Sequence, residues 1–509
     1  MPEFLSPGHF VTEEDPQVTT ILGVPTSTCA LIGVAEKGPI GVATLCTSYS
    51  DFREKFGRFT PSGWLAYAGY GLYLNQPSAR VYVVRVAHYT DVNDPATLTA
   101  IASTGTIKDR ATPTAANTLK VKASSPGTWG DKLKVRISDS TTTGKFNLEV
   151  LETISSGDVV RERFEALSME DGAADYVETK INGVSRYIVV EDLGSTATGA
   201  DANPATGTTA LAGGDDGLTG ITDADYLGSA AAKNGLHALD NIPDILNIAI
   251  PGVTTSAVQN GLLSYLENRK NCFAYLDPPL GLDKQQIATH VAGLNSTYAA
   301  IAWPNVKILD PVTGAEKVVP PSGWLLGATA RTDGEKGVWK TPAGTEDGRL
   351  VGVVGLETED VNEKGTRDFL YPKRINPICF LRGYGIRFYG GRTLDHDGRF
   401  PYINERRTFL FCEQSVSEGT QWAEFENNSE KLWKRLTLAI RSFLRFVWKQ
   451  DGLRGDKAEQ AFVVKIDSET NTQEFIDRGI CTGLIGLSTH RPAEFIWFRY
   501  YRKTADTEE

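Results

Sequence analysis

Asp395-His396-Asp397-Gly398 comes nearest to a reactive cluster, because two carboxylates flanking an imidazole can do acid–base work or open a calcium loop. The calcium-loop pattern stops there, so a polar turn between strands is the expectation. Arg331-Thr-Asp-Gly-Glu-Lys-Gly337 is charged and contains glycine but lacks the order of a phosphate loop. The better reading is a loop fixed by Arg–carboxylate pairs. Gly383-Tyr-Gly385 lacks the third glycine of a dinucleotide fingerprint. His9, His88, His237, His290, His396 and His490 show no metal-ligand spacing. G-x-x-x-x-G-K-[ST], H-E-x-x-H and G-x-S-x-G are all absent. The expectation is therefore no catalytic residues, no cofactor and no metal. An enzyme on an α/β scaffold would need a clustered polar site that these residues do not supply.

Two other stretches suit binding better than catalysis. Asn428–Lys449 has the period of a long helix, with Leu432, Leu436, Ile440, Phe443, Leu444 and Val447 on an apolar arc. Lys431, Lys434, Arg435, Arg441, Arg445 and Lys449 form the opposite, wholly cationic arc, which suits an acidic partner if it is more than a solvated face. Phe462–Tyr501 reads as strand, turn, short helix, strand, loop, strand, with Asn471 capping the helix and Gly479 ending it. In the last strand Phe495 and Trp497 alternate with Ile496 and Phe498, so both faces need cover. The pattern by itself favours an internal strand; the alternative is cover from another chain.

The elements that position these stretches follow from patterning over 509 residues, enough for about three domains. A formal net charge of -11 argues against nucleic acid as a direct partner. No run approaches a membrane span, and no signal-peptide pattern opens the chain. Cys29, Cys46, Cys272, Cys379, Cys412 and Cys481 are scattered, as reduced and mostly buried thiols would be.

Residues 1–22 read as an arm, in which His9–Glu13 alternates like a strand. Residues 23–90 and 217–349 alternate strand and helix, the signature of an α/β domain. Residues 91–216 lose helical period and show short strands at Leu119–Ala123, Leu133–Ser138, Phe146–Thr153, Val159–Phe164 and Arg186–Val190, an inserted β-rich domain. Gly194–Gly214 is low in complexity and reads as a surface loop. Residues 350–492 form a C-terminal α+β domain, in which Thr408–Glu413 looks strand-like. Residues 493–509 are a terminal strand and arm.

With these stretches in place the chain resembles the tail sheath proteins of contractile bacteriophages and related contractile injection particles. The resemblance runs in order along nearly the whole chain. It is carried by Leu5-Ser-Pro-Gly-His-Phe-Val-Thr-Glu-Glu14, Thr28-Cys-Ala-Leu-Ile-Gly-Val-Ala-Glu-Lys-Gly-Pro39, Ser125-Pro-Gly-Thr-Trp-Gly130 and Tyr298–Lys340, and by Ile375-Asn-Pro, Gly390-Gly-Arg-Thr-Leu394, Tyr402-Ile-Asn-Glu-Arg-Arg407, Glu469-Thr-Asn-Thr472 and Pro492-Ala-Glu-Phe495.

The resemblance implies an α/β domain of subtilisin-like topology, a β insertion and a C-terminal α+β domain with terminal strand arms, and it brings no catalysis with it. It implies a structural subunit that polymerises as a helical stack of rings around a tail tube protein, with baseplate and tail terminator proteins as further partners. Such a subunit belongs to the virion tail and is assembled in the bacterial cytoplasm. Contraction would drive the tube through the host envelope; the sheath of an injection particle or a bacteriocin is the close alternative. The implied inter-subunit arm residues are Pro7, Phe10, Val11, Phe495, Trp497, Phe498 and Tyr500. The candidate tube-facing residues are Lys434, Arg435, Arg441, Arg445 and Lys449. An α/β hydrolase-type enzyme, or a carbohydrate- or surface-binding role for residues 90–216, are the readings of other classes.

Overall fold

The computed structural model describes residues 20–244 and 246–498. It divides into two compact units, one comprising Thr26–Glu335 and Pro342–Ile403, the other residues 20–25, Lys336–Thr341 and the chain from Asn404 onward.

The larger unit is built on an eight-stranded sheet. Its order is Gly385–Phe388, Ile375–Leu381, Ala299–Trp303, Cys272–Leu276, Leu246–Ala249, Cys29–Gly33, Val81–Arg85 and Thr44–Cys46. The six inner strands are parallel, and both edge strands run antiparallel to their neighbours. Cys29–Gly33, Leu246–Ala249, Cys272–Leu276 and Ala299–Trp303 are buried at every position, as parallel strands covered on both faces must be. Two covering helices, Leu65–Asn75 and Ser322–Lys336, approach closely enough that a Cβ on Gly323 would lie 2.4 Å from the Ala68 backbone.

The boundary expected near residue 350 lies instead between Ile403 and Asn404. Ile375–Leu381 pairs in parallel with Ala299–Trp303, and the Asn376 amide ties the strand to Ile301 and Arg392, so residues 350–403 complete the large sheet.

Within this unit the inserted residues form two antiparallel sheets. One comprises Gly207–Ala210, Leu133–Asp139, Phe146–Ile154 and Gly157–Leu167; the other comprises Thr104–Lys108, Asn117–Ala123 and Ile188–Asp192. They share one core that includes Leu119, Val121, Trp129, Val135, Phe146 and Leu148. Gly207–Ala210 corrects the loop reading of Gly194–Gly214: Thr208 and Thr209 favour a strand, and backbone pairing with Leu133–Asp139 holds them in one despite the flanking Gly207 and Ala210. The buried Arg85 joins insertion to sheet, donating from Nη1 to the carbonyls of Gly38 at 3.0 Å and Pro126 at 2.7 Å.

The smaller unit is organised by two helices, Ile403–Gly419 and Glu430–Lys449. The first corrects the strand reading of Thr408–Glu413. A short apolar run does not distinguish strand from buried helix, and here Thr408 Oγ1 back-bonds to the Asn404 carbonyl at 2.7 Å within a helix that is buried over residues 403–412 apart from half-buried Phe409. Residues 20–25 dock on it: the Val24 amide donates to Ser415 Oγ at 3.1 Å, and Ile21 packs where a side chain on Gly419 would stand. No helix among the described residues is long and apolar enough to cross a membrane.

Candidate interaction surfaces

The motifs with the residue types of a reactive site are structural parts. Asp395 is buried and its carboxylate accepts from the amides of Asp397, Gly398 and Phe400, while His396 Nε2 lies 3.1 Å from the Leu294 carbonyl. This is the polar turn expected. Gly383 and Gly385, at φ +85° and +79°, form the turn of the hairpin between Ile375–Leu381 and Gly385–Phe388.

Arg331–Gly337 is not a loop: the helix Ser322–Lys336 runs through it. Arg331 donates to the carbonyls of Asp347 and Arg349 and to Asn75 Oδ1, so it satisfies backbone rather than the expected carboxylates. Among the described residues no three of His, Cys, Asp and Glu are grouped to hold a metal. Five of the six cysteines are buried and Cys481 is exposed.

At the carboxyl end of the parallel sheet, where α/β folds often bind ligands, Trp64 lies on Gly252. A Cβ there would come within 2.0 Å of the indole. Asp277 beside it accepts from Ser322 Oγ at 2.6 Å and from the amides of Ser322 and Gly252. Burial raises its pKa to about 6, against these hydrogen bonds, which act to lower it. A separate cleft of about 650 Å³ lies between residues 36–58 and the insertion. Its carboxylates are engaged: Glu36 by Lys132, Glu54 by Arg186, Glu152 by Arg58 and Arg161, and Glu162 by Ser185.

The basic helix is as amphipathic as its sequence. Leu432, Trp433, Leu436, Ala439, Ile440, Phe443, Leu444 and Val447 are buried. Lys431, Lys434, Arg441, Arg445 and Lys449 are exposed. Arg435 departs from the arc and lies half-buried over the Trp422 ring at 4.3 Å, a cation–π contact. Arg441 Nη2 reaches the Val464 carbonyl at 3.3 Å, and Lys434 pairs with Glu430 at 3.3 Å on the surface. The face is not wholly cationic: Leu438 and Phe446 are exposed among the charges. The sequence carried a signal for both, because neither fits the apolar arc.

Beside this helix Phe462–Lys465 and Leu484–Leu487 form a two-stranded antiparallel sheet, and among the described residues neither has a second strand neighbour. Val463, Leu484 and Ile485 are exposed on it. With the Val464 carbonyl occupied by Arg441, Leu484–Leu487 presents the open edge. The short helix Gln473–Asp477 starts after Thr472, without a side-chain cap. Asn471 does not cap it but bridges to the backbone of Thr482, while Gly479 ends it at φ +71°.

The final strand of the sequence reading is absent over its described part. Residues 489–498 have no regular structure, and Phe495, Ile496, Trp497 and Phe498 are exposed. Before this stretch the chain is fastened to the first helix, with Asn404 Nδ2 on the His490 carbonyl at 2.8 Å and Arg491 Nε on Glu405 at 3.1 Å. Pro7, Phe10, Val11 and Tyr500 lie outside the described residues.

Residues 219–394 match the phage tail sheath protein central domain. In sequence the chain is similar to tail sheath proteins. It is 25% identical over 280 residues to a prophage major tail sheath protein of Pseudomonas aeruginosa (strain UCBPP-PA14), covering 53% of this chain and 69% of that one. To the tail sheath protein of Enterobacteria phage T4 it is 26% identical over 269 residues, 48% of this chain and 39% of that one. The helical sheath of the anti-feeding prophage in its contracted state shares the fold with a TM-score of 0.59 at 19% identity, over 98% of this chain and 99% of that one. The tail sheath match therefore falls on five of the eight strands of the large sheet, and the fold likeness extends over both units.

Proposed function

We propose that this chain is the structural subunit of a contractile tail sheath, not an enzyme. It polymerises as a helical stack of rings around a tail tube and contracts to drive the tube through a host envelope. The parent particle is a phage virion, or a phage-derived injection particle or bacteriocin built on the same plan. On this reading the parallel sheet is the sheath's subtilisin-like domain. The subunit assembles in the bacterial cytoplasm, with baseplate and terminator proteins closing the two ends.

The observation that carries the proposal is the two-stranded sheet with an open, apolar edge, in a chain whose aromatic C-terminal stretch lies exposed. An open edge is an aggregation hazard in a monomer. In a sheath it is the joint: residues 5–14 and 494–501 of neighbouring copies add strands to it, and main-chain hydrogen bonds link subunits whose domains move as rigid bodies. Phe10, Val11, Phe495, Trp497, Phe498 and Tyr500 supply the alternating side chains, and Pro7 turns the N-terminal arm.

Lys434, Arg441, Arg445 and Lys449 face carboxylates of the tube, with Arg435 holding the preceding turn through Trp422. Each exposed pair contributes only ~0–1 kcal/mol. Contacts repeated around every ring can hold the extended state in sum and still release. Electron microscopy of the purified chain with its tube tests the proposal: sheathed tubes or stacked rings support it, and a chain that stays monomeric in every mixture contradicts it.

A further inference from the structure

Phe425 is the most exposed large apolar residue of the described chain, with a relative exposure of 105%, and its φ is +64°. A bulky side chain in the left-handed region is a conformation the surroundings must impose. Here both flanks are pinned. On one side the turn Gln421–Ala423 is closed by the Ala423 amide on the Thr420 carbonyl and the Glu424 amide on the Gln421 carbonyl. On the other, Asn428 accepts from Trp433 Nε1 at 2.7 Å and donates to the Ile480 carbonyl at 2.9 Å. The loop therefore holds the ring out in solvent, and its Asn428 end is bonded to the segment that leads into Leu484–Leu487.

The chemistry around the ring is specific. Glu424 and Glu426 flank it, both exposed, and neither carboxylate has a cation within salt-bridge distance among the described residues. Ile480, Leu484 and Ile485 add exposed apolar surface on the adjoining segment. A fixed aromatic knob between two carboxylates fits a partner that is apolar and basic. This chain carries one such segment in Phe495-Ile-Trp-Phe-Arg-Tyr-Tyr-Arg-Lys503, where aromatic residues alternate with Arg499, Arg502 and Lys503.

We infer that Glu424-Phe425-Glu426 is a docking knob for the aromatic, basic C-terminal segment of a second copy of this chain. The inference rests on the strand-addition reading above and adds to it the element that sets which copy docks and in what register. The arm pairs its backbone with the open edge, while the knob reads its aromatic rings and its arginines. Knob and arm are different segments of the chain, so a contact between them in two copies is head-to-tail and propagates from copy to copy.

The test compares full-length variants for polymer yield by sedimentation and negative-stain microscopy, with thermal unfolding of the unassembled chain as the second readout. Glu424→Lys with Glu426→Lys lowers polymer yield at least about tenfold, and adding Arg499→Glu with Arg502→Glu to that chain restores most of it, as paired charges across one interface require. Phe425→Gly relieves the backbone strain, so the monomer melts no lower than wild type, yet assembly falls. A residue that merely holds the loop together would lower both. Wild-type yield from the double lysine variant, or a loss that the reversed arm fails to rescue, overturns the knob and leaves the sheath reading intact. A wild-type chain that forms no polymer with its tube overturns both.

Discussion

Ser322 Oγ donates to the Asp277 carboxylate at 2.6 Å, joining the first turn of the helix Ser322–Lys336 to the end of a central strand. Because burial raises this carboxyl to about 6, the folded chain holds a proton that the unfolded chain releases near pH 4. The Asp277 contribution to stability therefore rises as pH falls from about 6 to about 4, by roughly 2–3 kcal/mol, and is constant above that window. Thermal midpoints of wild type and Asp277→Asn measured from pH 4.5 to 7.5 check this. The wild type gains on the variant as pH falls; a difference that does not change with pH would falsify the assignment.

Gly323→Ala drives a methyl group into the Ala68 backbone and has no flexible side chain to displace. Overpacking of this kind costs about 1–3 kcal/mol or more. Gly365→Ala, on the exposed helix Lys364–Leu370 with no atom within 4 Å of the new Cβ, gains up to ~1 kcal/mol from helix propensity. The two variants move the melting midpoint in opposite directions. Equal shifts would mean that the two covering helices do not pack as described.

What was legible in the chain was whatever local pattern controls. The fully buried strands read as unbroken apolar runs, and the basic helix is legible as a helix because its apolar arc keeps a strict period, although Arg435, Leu438 and Phe446 depart from the cationic one. Thr408–Glu413 reads as a strand because the helix is buried over almost all of residues 403–412, and its exposed Glu413, Ser417 and Glu418 come only at the end of the apolar run or after it. The boundary at Ile403 was invisible for another reason: Ile375–Leu381 is placed in the large sheet by pairing with a strand over seventy residues earlier. Nothing in Ala-Glu-Phe-Glu-Asn declares the positive φ of Phe425. Its role comes from hydrogen bonds to Thr420, Trp433 and Ile480 that only the folded chain assembles.

Arg85→Met leaves the carbonyls of Gly38 and Pro126 without their donor. Burial lowers the guanidinium pKa to about 10, still well above neutral, so the group stays charged and its removal costs about 2–4 kcal/mol. Loosened anchoring of the insertion appears as faster protease cleavage within residues 91–216. Unchanged melting together with unchanged cleavage would count against the strap.

Arg441→Glu with Arg445→Glu reverses two exposed charges on the basic helix and leaves its apolar arc untouched. Co-sedimentation with the tail tube falls sharply at low salt, and wild-type binding weakens as ionic strength rises past about 0.15 M. Tube binding that is equal in both chains and insensitive to salt would remove the helix from the tube interface.

The central claim is that copies of this chain join through their termini, and truncation after Pro492 tests it most directly. Full-length and truncated chains are purified at equal concentration, shown to melt alike, and viewed by negative stain with and without the tube. The account predicts tubes or stacked rings from the full-length chain and dispersed subunits from the truncated one. Polymers of equal length and number from both would contradict it.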